Sequence, residues 1–419
     1  MRCISRSVMA GCLLIIATSV IPNALWGEDE HAEADLEFDR DLTLPALLDT
    51  TLQRHPEAGV LAAGRATAEA ESAYGRYWVP EMAELSGFHL SDRQLDDIGA
   101  YENEVTLSVP FWLPGEKRAQ TRLGEASLTA HASRSVEFRW QVSAVLRNRL
   151  WKLRLALRQW ELAREQEQRL ADVLEQVTLF TEVGDLSRAD QLATLQELAI
   201  WKAETMTLEA EYRDAVREYA SVTGMNRFPA DISEVLSEKQ GIEDDHPALQ
   251  SAMDRLAEAT ASTDLSRQEN SARPALQVFW RGFSGDRLSP DVNALGIGLA
   301  VPLGKSPKRG PEIARANELL ALAEAELIKT KRKLDMQLHE ARHMLETTRR
   351  QLENSMQMIE AANERHRLDR LSFELGEFSI TEWLRRLSVL KDIERSHELL
   401  LIREGAAIAS YNQAVGDTL

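Results

Sequence analysis

The sequence predicts a mainly α-helical chain made of two copies of one unit, each a β-hairpin followed by long coiled-coil helices. Three observations favour this fold class: matched landmarks recur 192 residues apart, each half contains short alternating apolar segments, and long stretches lack proline. Proline is absent between Pro114 and Pro229 and again after Pro311. Because proline breaks helices more strongly than any other residue, both stretches can form uninterrupted helices.

The duplication has a fixed register. Tyr219 and Tyr411 are 192 residues apart, as are Gly224 and Gly416, and three further pairs share that offset: Val109-Pro110-Phe111 with Val301-Pro302-Leu303, Val183-Gly184-Asp185 with Leu375-Gly376-Glu377, and Asp190 with Glu382. A His-Pro pair opens each copy at an offset of 191. Such self-similarity indicates a first repeat over 28–224, a linker over 225–245 and a second repeat over 246–419.

Each repeat has the same predicted order of elements. The first repeat has a hairpin at about 78–113 and long helices over 115–183 and 187–223; the second has a hairpin at about 274–303 and helices over 311–375 and 379–416. Shorter helical stretches follow the His-Pro pairs, over 58–74 and 248–265. A helix from Glu116 to Val183 extends about 100 Å, which is too long for a compact domain. We therefore expect each long helix to pack with its return partner as an antiparallel coiled coil.

The N-terminus predicts export from the cytoplasm. Arg2 and Arg6 precede an apolar run from Val8 to Ile21, the pattern of a secretory signal peptide over residues 1–27. Both cysteines, Cys3 and Cys12, lie in this segment, so the mature chain is expected to have neither a disulfide nor a catalytic thiol. The net charge of −18 argues against a nucleic-acid partner.

The alternating segments favour strands that span a membrane. Val105, Leu107 and Val109 share one strand face, and Leu295, Ile297, Leu299 and Val301 share another. Aromatic residues cluster near the strand ends, as in the girdles of membrane barrels: Trp78, Tyr101, Phe111, Trp112, Trp280 and Phe283. Single-chain barrels have at least about eight strands, so four strands per chain require several chains. A soluble β-subdomain and a periplasmic coiled-coil spacer without a barrel remain alternatives.

The first repeat contains, in order, a strand, Val-Pro-Phe, the basic Lys117-Arg118, a long helix and then Val-Gly-Asp-Leu-Ser-Arg-Ala-Asp-Gln-Leu. This series of features resembles the TolC family of outer-membrane efflux proteins. The forms His-Pro-Ala-Leu and Gly-Asp-Leu-Ser-Arg-Ala-Asp are most similar to its CzcC-like heavy-metal efflux branch. The resemblance implies a homotrimer with a twelve-stranded transmembrane β-barrel in the bacterial outer membrane and an α-helical periplasmic tunnel.

The same resemblance implies partners and a function. The partners are outer-membrane lipid, a periplasmic adaptor (membrane fusion) protein and an inner-membrane pump of the RND type. The chain is then a passive exit duct for divalent heavy-metal cations, with no enzymatic activity and no cofactor. A duct for drugs or type I secretion substrates is the alternative.

The turns between long helices are the first candidate site. The resemblance implies that they contact the adaptor, through Val183, Gly184, Asp185, Leu186 and Ser187 and through Leu375, Gly376, Glu377, Phe378 and Ser379. Turn chemistry alone explains Gly184 and Ser187.

Two acids near these turns are candidates for a tunnel gate. In a symmetric trimer Asp190 and Glu382 each form a ring of like charge, which selects cations. Family gates pair an acid at Asp190 with a basic residue and a tyrosine, but Phe378 and Phe373 occupy those positions. Arg188, Arg385 or Arg386 could substitute as partners, or they are solvated surface residues.

One motif suggests an enzyme. His339-Glu340-Ala341-Arg342-His343 fits the H-E-x-x-H pattern of zinc peptidases, with two ligands and a general base on one helix. It lies within a continuous helix, offers no third ligand, and corresponds to Arg147 and Trp151 in the first repeat. We therefore expect no catalytic metal; a zinc metallopeptidase is the remote alternative, and an adventitious metal site including Met336 or Met344 is another.

Overall fold

Four long helices dominate a computed structural model that describes residues 36–269, 273–304, 307–375, 377 and 380–419. They are α3 (Glu116–Glu182), α4 (Arg188–Thr223), α6 (Arg309–Glu374) and α7 (Ile380–Ala414). Helix α3 has 67 residues and extends about 100 Å. It packs against α4, as α6 packs against α7. The predicted long helices are thus present, with ends within two residues of those expected; the predicted signal segment lies outside the described residues.

Two shorter helices begin at the His-Pro pairs. Helix α2 spans Ala58–Tyr74 and α5 spans Pro247–Gln268. His55 Nδ1 accepts a hydrogen bond from the Glu57 N–H, and His246 Nδ1 accepts one from the Ala248 N–H, both at 3.2 Å. Each imidazole also meets an aromatic ring of α3 edge-on. The two His-Pro turns therefore have the same local role, which is to start a helix and seat it on α3.

Three elements near the predicted linker were not expected from the sequence. Helix α1 spans Leu44–Arg54, and the short strands β1 (Glu37–Asp39) and β4 (Arg227–Pro229) pair in parallel. The 225–245 segment is more than a connection, because it contains β4 and continues across the end of α7. There Asn412 accepts a hydrogen bond from the Ser237 N–H at 2.8 Å.

The two predicted hairpins form one antiparallel sheet. Their strands are β2 (Glu84–Ser91), β3 (Tyr101–Pro110), β5 (Ala275–Ser284) and β6 (Val292–Ala300), in the order β2-β3-β5-β6. Pairing of β3 with β5 joins the first repeat to the second. In the described residues, β2 and β6 each have a neighbour on one side only.

One face of this sheet is apolar and exposed. The pairing aligns Leu85, Leu107, Val278 and Ile297 in a row across all four strands, and the next row contains Val105, Trp280 and Leu295. All seven side chains are at least 39% exposed. The opposite face contains Thr106 and the ion pair of Arg281 with Glu104. A sheet with its apolar side uncovered is not the core of a soluble subdomain in the isolated chain.

The main core lies where α1, α3 and α4 meet, at the level of the linker. Leu47, Leu146, Leu150 and Tyr219 are at most 1% exposed there. A second, smaller core packs α6 against the end of α7 around Leu338 and Val415. These cores fix the two helical hairpins at one end and leave their turns at the other.

Candidate functional site at the helical turns

The turn between α3 and α4 is closed by its own backbone. Gly184 has φ +89°, its N–H donates to the Thr181 carbonyl at 3.2 Å, and the Asp185 N–H donates to the Phe180 carbonyl at 2.9 Å. This is a Schellman arrangement, which satisfies carbonyls that the end of the helix leaves free. The left-handed φ explains why glycine stands at position 184.

The second turn repeats this bonding as far as it is described. The Glu377 N–H donates to the Ser372 carbonyl at 3.0 Å, and both residues lie 192 positions after their counterparts in the first turn. Gly376, Phe378 and Ser379 lie outside the described residues. The two repeats therefore correspond even in this backbone hydrogen bond of the turn.

Matched apolar side chains line the two turns. Val183 is 72% exposed and Leu375 69%; one turn earlier, Leu179 is 58% exposed and Leu371 56%. Each pair is separated by 192 residues. The chain therefore presents two similar apolar surfaces at one end of the molecule, where a partner protein can bind.

Asp190 has a local structural role. It is the third residue of α4, and its carboxylate accepts from the Ser187 hydroxyl at 2.7 Å and from the Ser187 N–H at 3.3 Å. The Ser187 hydroxyl in turn accepts from the Asp190 N–H. This capping box places a negative charge at the start of the helix, which the helix dipole also favours. Arg188 is hydrogen-bonded to Gln191.

Glu382 is held by two arginines of its own helix. Arg385 lies 2.9 Å from the Glu382 carboxylate and Arg386 lies 2.8 Å from it. Hydrogen bonds from Arg385 and then Arg386 lower the Glu382 pKa from 4.5 to about 2. The sequence predicted Arg385 and Glu382 as gate candidates, and the structure brings these two residues together. Both line a groove between the helices.

Sequence reasoning missed Asp369. This carboxylate is 7% exposed on α6 and accepts from Arg386 at 2.5 Å, so Arg386 joins Asp369 of α6 to Glu382 of α7. The available signal was in the repeat itself. The counterparts of Asp369 and Arg386 are Val177 and Thr194, so two buried uncharged residues of the first repeat are replaced by an ion pair in the second.

A groove of about 440 Å³ lies beside this charged contact, between α3, α4 and α7. Its lining includes Glu382, Arg385, Arg169, Lys391 and Glu197. Asp190 is not among the lining residues. The structure therefore gives Asp190 and Glu382 equivalent positions on their helices but different surroundings.

The peptidase motif is on the solvent side of α6. His339, Glu340 and His343 are exposed, whereas the neighbouring Leu338 and Ala341 face the core. Within the described residues, no cluster of three or more histidine, cysteine, aspartate or glutamate side chains is arranged to bind a metal ion. No described helix combines the length and apolar character needed to cross a lipid bilayer.

No protein-family model matches the chain, and no curated protein matches it by sequence. Solved structures do match. The outer membrane protein VceC of Vibrio cholerae is 15% identical, with a TM-score of 0.67 over 89% of this chain and 96% of that one. The CmeC outer membrane channel of Campylobacter jejuni is 13% identical, with a TM-score of 0.64 over 89% and 85%. The MtrE outer membrane channel of Neisseria gonorrhoeae is 16% identical, with a TM-score of 0.63 over 88% of each chain.

These similarities establish the fold. The chain has the fold of one TolC-like channel protomer, with two repeats that each combine a β-hairpin and long coiled-coil helices. The solved proteins named above are described as outer membrane proteins or channels.

Proposed function

We propose that this protein is the outer-membrane channel of a tripartite efflux system, active as a homotrimer. The observation that carries the proposal is the sheet, whose apolar face is uncovered and whose outer strands each have one free side in the described chain. Three such sheets joined edge to edge make a closed twelve-stranded barrel, which leaves no edge in lipid. The long helices then continue the barrel as a periplasmic tunnel.

The helical turns are the proposed docking end. Their paired apolar surfaces around Val183 and Leu375 lie at the end of the molecule opposite the sheet, where a periplasmic adaptor can link the tunnel to an inner-membrane pump of the RND type. We propose divalent heavy-metal cations as the exported class, with Asp190 and Glu382 near the tunnel mouth and an acidic chain of net charge −18. Drugs or type I secretion substrates are the competing cargo.

Neighbouring positions on β5 and β6 test the membrane placement. Ile297 lies on the apolar face and Gln277 on the opposite face, next to Val278 in the Ile297 row. Because both native cysteines lie at positions 3 and 12, Ile297→Cys and Gln277→Cys each give one labelling site in a chain without its first 27 residues. After reconstitution, a fluorophore at 297 should be quenched by lipid-attached quenchers and one at 277 by aqueous iodide. Aqueous quenching at both positions would contradict the channel.

Cargo is tested separately in planar bilayers. Under a salt gradient, the reversal potential of a cation-selective channel shifts toward the equilibrium potential of the cation. Glu382→Gln should reduce this shift because it removes a negative charge near the tunnel mouth in every subunit. Glu394→Gln is the control, because it removes the same charge from an ion-paired carboxylate twelve residues further along α7. A channel that conducts without cation preference would refute the metal-cation cargo while leaving the duct intact.

A further inference from the structure

One contact between long helices of the two repeats is formed within the chain, whereas the surfaces that would form the equivalent contact are not packed against each other. Helix α3 packs against α4 on one side and against α7 on the other. Helix α6, the counterpart of α3, packs against α7 in place of α4. Among the described residues of the isolated chain, no helix is in the corresponding place against α6.

The exposure of paired residues shows this difference. Arg147 is 4% exposed because it lies against α7 and the linker, where it donates to Gln413 and to Glu234. Trp151 lies so close to Gly405 of α7 that a Cβ there would be 2.1 Å from the ring. Their counterparts on α6, His339 and His343, are exposed.

The other half of the contact is open as well. Ala409 of α7 is 1% exposed, whereas its counterpart on α4, Arg217, is exposed. Ala406 of α7 is partly buried, and its counterpart, Asp214, is exposed. Two open surfaces with matching registers fit each other across two copies of the chain. In the proposed homotrimer, α6 of one protomer then packs against α4 of the next as α3 packs against α7.

The in-chain contact shows which residues meet. A groove of about 530 Å³ between α3, α6 and α7 is lined by Arg147, Trp151 and Ala406 together. Replacing each by its counterpart places two imidazoles and one carboxylate in the groove between protomers. Residues four apart on a helix lie on the same face, and this spacing lets two histidines bind one metal ion.

We propose that His339 and His343 of one protomer and Asp214 of the partner subunit bind a divalent transition-metal ion at each contact between protomers. Imidazole nitrogen suits Zn²⁺, Cu²⁺ and Ni²⁺, and two histidines with one carboxylate form a common zinc ligand set. A single chain supplies only the two histidines, in keeping with the lack of a three-residue cluster in the described part of one chain. The site rests on the homotrimer of the proposed function, because its third ligand comes from a second copy.

Zinc titration of the full-length protein in detergent, after treatment with a chelator, tests the site. We expect one Zn²⁺ per protomer, and an affinity reduced about tenfold or more in His339→Ala, His343→Ala and Asp214→Asn, because each change removes a ligand. Glu340→Gln and Glu211→Gln are the matched controls. Both are exposed carboxylates beside the proposed ligands, and the affinity should not change in either variant.

The register is tested without metal. His343→Cys combined with Asp214→Cys should form an intermolecular disulfide, because the counterparts of these residues line one groove in the chain. His343→Cys with Glu211→Cys on the same helix tests neighbouring alignment, and more crosslinking there than with Asp214→Cys would overturn the proposed pairing.

The outcomes separate this inference from the proposed function. A trimer by light scattering that binds no Zn²⁺, or binds it equally well in Asp214→Asn, refutes the shared site and leaves the channel standing. A monomer that binds Zn²⁺ through the histidines alone refutes both the shared site and the trimer. Hydrolysis of a peptide substrate by the zinc-loaded protein, abolished in Glu340→Gln although zinc stays bound, would overturn the shared site in favour of the peptidase.

Discussion

Removing the guanidinium of Arg147 should release the linker between the two repeats. The side chain is buried and makes a bidentate contact with Glu234, with Nη2 at 2.6 Å and Nε at 2.9 Å from its carboxylate oxygens. Nη1 donates to the Asp417 carbonyl at 2.8 Å and to Gln413 Oε1 at 2.5 Å. One residue of α3 thus joins the linker, the end of α7 and the last residues of the chain.

The size of the effect follows from burial. The Arg147 side chain is 5% exposed and that of Glu234 11%, so Arg147→Met leaves a buried carboxylate without its cation. Removing one partner of a buried ion pair costs about 3–5 kcal/mol. Hydrogen exchange at the Ser237 amide, which donates to Asn412 at 2.8 Å, reports opening of the linker. At about 1.4 kcal/mol per factor of ten, exchange should be faster by roughly two to three and a half orders of magnitude.

Two control variants test whether the effect comes from the buried ion pair. Arg65→Met breaks an ion pair with Glu69 in which the side chains are 73% and 55% exposed, and exposed pairs contribute no more than about 1 kcal/mol. In Arg147→Met with Glu234→Leu, much of the loss should be recovered, since no buried charge remains. Acceleration of less than about tenfold in Arg147→Met, or equal acceleration in Arg65→Met, would show that this contact does not hold the linker.

The first helical turn, the buried His246 and the paired Glu382 each give a testable prediction. Gly184→Ala should destabilise the first turn by about 1–2 kcal/mol, because its φ is +89° and space is available; Gly241→Ala, at an equally open site, should not. Burial lowers the His246 pKa below 6.5, so its contribution is complete above pH 6.5 and is lost as the pH falls below it; thermal unfolding of His246→Asn should depend less on pH. Because Arg385 and Arg386 hold the Glu382 pKa at about 2, the mobility of a spin label near the start of α7 should stay constant above pH 4.5 and rise as the pH falls towards 2, where Glu382 becomes protonated and releases both arginines.

The long helices could be predicted because their signal is local and repeated many times. Proline is absent over each run, and apolar residues recur every three or four positions. The register of 192 holds in the structure for the left-handed glycines Gly224 and Gly416 and for the turn bonds of Asp185 and Glu377. Short-range chemistry was therefore enough for the helices, their turns and the order of the hairpins.

The missed features depend on contacts between distant parts of the chain. Strands β1 and β4 have three residues each, and their partners lie 190 positions apart in the sequence. Arg147 and Asp369 have the residue types of a solvated helix face, yet they are 4% and 7% exposed. No pattern along the chain states that Glu234 or Arg386 lies opposite them. The repeat register aligns Asp369 with the apolar Val177 and so marks a core position, but the ion pairs themselves become visible only when the helices are packed.

The two repeats share a backbone but differ at the contacts that hold their helices together near the turns. In the first repeat Val177 and Thr194 are both buried, whereas the second repeat has the ion pair of Asp369 with Arg386 at these positions. An apolar contact is insensitive to ionic strength, while an ion pair weakens as salt screens it or as its carboxylates are protonated. The α6–α7 end should therefore be more sensitive to salt and acid than the α3–α4 end, whose counterpart residues carry no charge. Equivalent helices of the two repeats thus respond to different conditions. Asp190 and Glu382 occupy equivalent positions on their helices, but their surroundings differ.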